Sequence, residues 1–321
     1  MASTPNMLAI RSAVRACLAT HEAGDCILVA ISGGADSLAL AHAISIEAQP
    51  LAIRVVGTTV DHQLQSASGE QAVKVIAQLN AMGINENEIL KVNVEISQGL
   101  EASARKARYE ALEKCAEKYK AVAIYLGHTR DDQAESVLLG LARGSGTRSL
   151  SAMAQVNGKY VRPLLAITRD QTEKACQEMN LSPWNDPHNS DKQFARVRVR
   201  NVVLPTLEEN IGPGISDALA RSANLMRDDA DALDQWAEQE ISTMNLSDLD
   251  CEALAALPKA IRTRILRRAM YEAGALSGSL SAEHVSAVEA LVTAWSGQGP
   301  AHLPGGVKVS RLSGRLSLLQ H

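Results

Sequence analysis

Ile27-Leu28-Val29-Ala30-Ile31-Ser32-Gly33-Gly34-Ala35-Asp36-Ser37 is an apolar run that breaks into two glycines. It then reopens as the alternating apolar segment that ends at Ile46. The run is short and continuous, so it reads as a buried strand, and the glycines mark a turn into a helix over residues 37–46. Such a turn suits a pyrophosphate. Glycine lets the backbone approach closely, amide N–H groups point at the anion, and the positive helix end favours negative charge. Ser32 and Ser37 add hydroxyl donors.

The loop lacks the terminal Gly-Lys-Ser/Thr of the common phosphate loop and its lysine. Its Ser-Gly-Gly-x-Asp-Ser pattern resembles the PP-loop of the ATP pyrophosphatase superfamily, which splits ATP between the α- and β-phosphates. The resemblance implies that Ser32, Gly33, Gly34, Ala35, Asp36 and Ser37 bind ATP. A carboxylate at Asp36 repels phosphates unless a divalent cation lies between them, so Mg²⁺ is expected there.

At 321 residues the chain exceeds what one core organises. Two domains are expected, 1–214 and 215–321, parted at Gly212-Pro213-Gly214. Hydrophobic content of 46% and charged content of 21% are those of a soluble protein without a membrane span or secretory signal. Five scattered cysteines without a Cys-x-x-Cys argue against a disulfide, zinc or iron–sulfur scaffold and for the cytoplasm. The net charge of −4 gives no global pull toward nucleic acid, so any polyanion contact must be local. Two basic clusters are present: the alternating Arg196, Arg198 and Arg200, and the run from Lys259 to Arg268.

After an amphipathic helix at residues 6–21, strands at 26–31, 54–60, 89–95 and 121–126 alternate with helices at 37–46, 69–82, 100–119 and 131–141. The pattern predicts an α/β fold with a parallel sheet, whose ligands sit beyond the carboxyl ends of the strands. A helix at 168–179, a long acidic helix at 215–241, further helices in 251–273 and 281–294, and a closing hairpin at 307–319 complete the reading. The C-terminal domain is thus expected to be smaller and mainly helical.

Asp61-His62 ends the second strand, and Gly127-His128-Thr129-Arg130-Asp131-Asp132-Gln133-Ala134-Glu135-Ser136 follows the fourth. Capping explains Thr129 or Asp131 but not the gathering of His128, Asp132 and Glu135. Asp132 and Glu135 share a helix face. With Asp36 they are candidate carboxylates for Mg²⁺, Asp36 and Asp132 first, while His128 is placed to stabilise charge on the α-phosphate. Asp36, His128, Asp132 and Glu135 form the expected catalytic group, with Asp61 and His62 beside the nucleotide.

These motifs join residues 101–109, Arg143-Gly144-Ser145-Gly146, Val161-Arg162-Pro163-Leu164-Leu165, Asp186-Pro187-x-Asn189 and the comb Arg196–Arg200 in an order that resembles bacterial tRNA(Ile)-lysidine synthetases. Where the family usually has Asn in the comb, this chain has Val197. The resemblance implies ATP-dependent adenylation of the wobble cytidine of a CAU-anticodon tRNA(Ile), then attack by free L-lysine with release of AMP. Arg105 and Arg108 read either as phosphate or nucleotide contacts or as solvated helix arginines. Arg143, Arg148, Arg162, Arg196, Arg198 and Arg200 read as tRNA phosphate contacts, the last three projecting from one face of an extended segment. Lysine requires acidic partners, for which Asp61, Asp132 and Glu135 are the candidates. A tRNA thiolase, which needs paired cysteines, and a non-catalytic nucleotide sensor are the alternatives. A homodimer is compatible with the sequence but not required by it.

Overall fold

The computed structural model describes residues 4–61, 68–93, 100–186, 191–276 and 278–320, apart from the side chains of Leu100 and Glu101. It divides into two compact units, Met1–Asn224 and Leu225–His321, and the division falls inside one long helix.

In the first unit α1 (Pro5–Leu18) precedes β1 (Cys26–Ala30), α2 (Ala35–Glu47), β2 (Arg54–Asp61), α3 (Ser68–Ala81) and β3 (Glu86–Lys91). Then come α4 (Leu100–Tyr119), β4 (Ala123–Leu126), α5 (Arg130–Ala142) and α6 (Thr147–Leu150). The short strands β5 (Val156–Asn157) and β6 (Tyr160–Val161) lead into α7 (Arg169–Glu178). The six strands form one sheet in the order β3-β2-β1-β4-β6-β5, parallel except for the β5–β6 pair. The expected α/β architecture is therefore present.

Alternation along the central strands builds two cores. Ile27, Val29 and Ile31 join Ala123 and Tyr125 under α1, α2, α3 and α7, whereas Cys26, Leu28, Ile124 and Leu126 face Leu112, Cys115 and Ala116 of α4. The chain steps outward from β1 to β3 and then returns to lay β4 on the other side of β1. The connections that leave β1 and β4 consequently diverge above the sheet and open a crevice between them.

Buried Glu47, at the end of α2, ties this layer to α1. It receives Arg11 Nε at 2.6 Å and Arg15 Nε at 2.7 Å, and these bonds hold its pKa below the ordinary glutamate value. The pairing therefore adds stability above the ordinary carboxylate range and loses it as pH falls through the native value. Glu47→Gln is expected to cost about 2 kcal/mol at pH 7. The gap from wild type should shrink below about pH 4, read by urea denaturation at both pH values.

The arginine comb departs from the extended segment expected for it. Residues 195–210 are helical: α8 (Ala195–Arg198), a π-helical turn over Val199–Val203 and α9 (Leu204–Asn210). The alternation of Val and Arg that resembles a strand is here a helix with Val197 and Val199 buried. Arg196 and Arg200, four apart, share a face, and exposed Arg198 turns away to donate to the carbonyls of Lys192 and Gln193 at 2.7 and 2.8 Å.

The helix α10 (Ile215–Ile241) has the limits read from the sequence. In the second unit β7 (Asp248–Asp250), α11 (Cys251–Ala256), α12 (Lys259–Glu272), α13 (Ala282–Thr293), β8 (Ala301–Leu303), β9 (Val307–Leu312) and β10 (Arg315–Gln320) follow. The expected hairpin is β9–β10, with Ser313 and Gly314 at positive φ in its turn, but it lies inside a four-stranded antiparallel sheet ordered β7-β10-β9-β8. Much of the basic run on α12 is structural. Arg262 is buried, donating to Leu257 O at 2.8 Å and Glu289 Oε1 at 2.7 Å, and Arg264 pairs with Asp234 at 2.6 Å. No helix among the described residues is long and apolar enough to cross a membrane.

Candidate functional site

Above the β1–β4 crevice lies a cavity of about 1110 Å³. Its floor is the glycine turn. Gly34 precedes α2 in extended conformation, and no side chain caps that helix, so the first amides of α2 keep their donors for a ligand. Gly33 holds φ +86°, its carbonyl accepts from Trp184 N at 2.8 Å, and a Cβ there would meet Val75 Cγ2 at 3.0 Å. Ser37 Oγ donates to Gly34 O at 2.9 Å and accepts from Ser32 N at 3.2 Å, so this hydroxyl braces the turn. Exposed Ser32 lines the cavity beside Ala35 and Asp36.

The second wall is the β4–α5 loop. A Cβ at Gly127 would lie 3.0 Å from both N and Cα of Ser37, so only glycine lets the two loops touch. Thr129 caps α5 with Asp132, whose Oδ2 accepts from Thr129 N at 2.8 Å and Oγ1 at 3.2 Å. Asp131 caps a different helix: its Oδ2 accepts from Arg169 N, at the start of α7, at 2.9 Å.

Three carboxylates and three guanidinia meet here. Glu135 is 0% exposed, accepts from Arg200 Nε at 2.6 Å and Arg169 Nη1 at 3.4 Å, and forms an ion pair with Arg196 across 2.9 Å. Asp132 Oδ1 faces Arg169 Nη2 at 3.2 Å and Arg200 Nη2 at 3.4 Å. Burial raises the Asp132 pKa, yet the charge of Arg169 and the hydrogen bond from the Thr129 amide bring it below the ordinary aspartate value. The hydroxyl of Thr172 donates to Asp36 Oδ1, and Arg169 Nε stands 3.6 Å from Asp36 Oδ2. For Asp36 burial wins over both partners, and its pKa is pushed up to about 6. Asp132 and Glu135 are therefore saturated with arginines and not open as a bare metal cage. Among the described residues no group of three or more His, Cys, Asp or Glu side chains is arranged to hold a metal.

His128 is a neutral base in this setting. Burial drives its pKa down to about 3, with Asp132 opposing and Arg108, Arg162 and Arg196 assisting, and its Nδ1 is buried without a hydrogen-bond partner. At neutral pH it can donate from one ring nitrogen and accept at the other, but it brings no positive charge to a phosphate.

Of the sequence-predicted residues, Asp36, Asp61, His128, Asp132, Arg105, Arg108, Arg196 and Arg200 all line this one cavity. Arg105 and Arg108 lie over Tyr109, at 4.9 and 5.4 Å from its ring centre. Burial lowers the pKa of Arg108, and the neighbouring positive charges of Arg105 and Arg196 add to the shift. Arg143 and Arg148 are exposed and stand outside the cavity wall. Arg162, read as an RNA contact, is instead buried, donating to Ala154 O at 3.0 Å, so it is not presented to a phosphate. His62 and Asn189 lie outside the described residues.

Sequence reasoning missed Arg169, Thr172 and Trp184. For Arg169 there was a usable signal: a cation in the first position of a helix opposes the helix dipole unless other charges hold it.

An uncapped helix behind a glycine pair, at the switch point of a parallel sheet, defines a PP-loop ATP-using enzyme. Comparison with known proteins agrees: a PP-loop domain matches residues 8–207 and a TilS substrate binding domain matches residues 249–317. The chain is 51% identical to the tRNA(Ile)-lysidine synthase of Thermobifida fusca over 314 residues, covering 97% of each protein. Its identity to the Streptomyces coelicolor tRNA(Ile)-lysidine synthase is 51%, with 92% of this chain and 85% of that one covered, and to the Salinispora arenicola enzyme 46%, with 99% and 98% covered. This chain belongs to the tRNA(Ile)-lysidine synthase family. Among solved structures it resembles the U34-tRNA thiolase NcsA of Methanococcus maripaludis with its [4Fe-4S] cluster (TM-score 0.59, 17% identity, 69% of this chain and 79% of that one), a likeness of fold alone.

Proposed function

We propose that this chain ligates free lysine to C2 of the wobble cytidine of a CAU-anticodon tRNA(Ile), activating the cytidine with ATP and releasing pyrophosphate and AMP. The observation that carries the reading is the set of uncapped α2 amides opening on the same cavity as Arg105, Arg108 and His128. Backbone donors of the turn bind the β- and γ-phosphates, and the α-phosphate then faces the β4–α5 loop. Arg108, a half-buried guanidinium lining that cavity, neutralises charge that builds on that phosphate. His128 Nδ1, unsatisfied in the protein, supplies or accepts a hydrogen bond at the reacting group. Asp61, buried at the end of β2 and lining the same cavity, is the acidic side chain assigned to the lysine ammonium in this reading.

Mg²⁺ fits Asp36, a half-buried carboxylate on the cavity wall, with Asp132 as the neighbouring acidic group. One or two carboxylates plus phosphates are the usual protein share for this ion. Bound there, the cation would screen the triphosphate from the carboxylate and stabilise the departing pyrophosphate. Exposed Arg143, Arg148 and Arg198 are the outer contacts for tRNA phosphates.

The deciding experiment incubates the protein with ATP, lysine and a CAU-anticodon tRNA(Ile) transcript and weighs the nucleosides. A lysine-sized gain on cytidine supports the ligase. A sulfur-sized gain with a sulfur donor would make it a thiolase, and nucleotide binding without turnover would make it a sensor. Asp36→Ala is expected to reduce AMP formation below detection while tRNA affinity, measured by filter binding, changes less than about twofold. Equal loss of both would assign Asp36 a structural role.

A further inference from the structure

Asp36 and Asp132 come from the first turns of different helices, α2 and α5, yet one guanidinium spans them. Arg169 places Nε 3.6 Å from Asp36 Oδ2, Nη2 3.2 Å from Asp132 Oδ1 and Nη1 3.4 Å from Glu135 Oε1. Its side chain is only 20% exposed. The first position of α7 is unfavourable for a cation, so these three carboxylates are what keep it there. An Asp pair of this kind, together with phosphates, is also the donor set that Mg²⁺ takes. A divalent cation at Asp36 would meet the Arg169 guanidinium already paired there, and like charges at such separations in a partly buried site repel strongly.

We infer that Arg169 is an internal stand-in for the divalent cation. In the nucleotide-free protein it neutralises Asp36 and Asp132 and fastens the glycine turn to the β4–α5 loop, so the phosphate cradle is formed in advance. It gives up Asp36 when the cation arrives, and Glu135 retains it. The four negative charges of ATP tip this exchange, so the metal enters with the nucleotide and not before it. The inference rests on the reading of Asp36 as the cation-bearing carboxylate.

The test is Mn²⁺ binding to the full chain without nucleotide, followed by the electron paramagnetic resonance of free Mn²⁺. Wild type is expected to bind weakly. Arg169→Met should bind about tenfold more tightly, since the competing charge is gone. Arg169→Lys, which keeps that charge, should stay at the wild-type value. Adding Asp36→Asn to Arg169→Met should abolish the gain. An Arg169→Met protein that melts like wild type but binds Mn²⁺ no more tightly would overturn the inference, as would a gain that survives Asp36→Asn. If Arg169→Met does not fold, Arg169→Gln keeps a donor toward Asp132 and Glu135 without the charge and carries the same expectation. None of these arms needs turnover or tRNA. Lysidine formed by a wild type whose Mn²⁺ arms fail removes the role of Arg169 alone. Mn²⁺ arms that succeed without lysidine remove the ligase reading alone.

Discussion

Replacing Glu135 by Ala is expected to lower the unfolding free energy by about 3 kcal/mol, the low end of what removing one partner from a buried ion cluster costs. The carboxylate is 0% exposed, and the side chains of Arg169, Arg196 and Arg200 around it are 20%, 28% and 27% exposed. With Glu135 present, three carboxylates meet three guanidinia. Without it, two carboxylates remain, and Asp132 Oδ2 is committed to capping α5. The surplus cation then sits in a cavity wall that already holds Arg105 and Arg108. Glu135→Gln keeps the volume and an acceptor oxygen and should fall between the two. Urea denaturation of the three proteins measures the series. A cost below about 1 kcal/mol for the alanine would mean that the arginines are held by something else.

Gly127→Ala is expected to reduce AMP formation at least about tenfold while leaving the fold intact, because a shift of a few tenths of an ångström already misplaces a reacting pair. The backbone of Gly127 is not in the left-handed region, so alanine brings no dihedral strain. The damage comes from contact alone: the new methyl would stand 3.0 Å from Ser37 N and Cα and 3.1 Å from the carbonyl carbon of Asp36. These are backbone atoms of the cradle and cannot rotate away, so the two loops must part. Circular dichroism and tRNA binding should match wild type while ATP-dependent AMP release falls. Unchanged release would show that the crevice tolerates widening and that the β1 and β4 loops work independently.

The two sides of that crevice differ in how plainly the chain announced them. Strand β1 and its glycine turn were legible because a continuous apolar run, a glycine pair and an alternating segment each have one cheap conformation. Gly127 was legible only as part of a motif. That it must be glycine depends on Ser37, ninety residues earlier in the chain, lying against it. Arg196–Arg200 misled the strand reading because period-two alternation of Val and Arg is also satisfied by a helix that buries Val197 and Val199. The hairpin at the C-terminus was found from its own turn residues, while β7 and β8, three residues each, carry too little pattern to be read before β9 and β10 offer them edges.

The order of strands and helices, the phosphate-binding turn and the gathering of acidic and basic motifs at the strand ends were all written locally, in period, turn chemistry and residue type. Which charges meet was decided only in three dimensions. Asp132 and Glu135 look like free carboxylates in the sequence, and become arginine holders because α7 and the 195–210 helix bring Arg169, Arg196 and Arg200 onto them. Local preferences act over a few residues, whereas the cost of burying a charge is met by whatever opposite charge the fold delivers, at any distance along the chain.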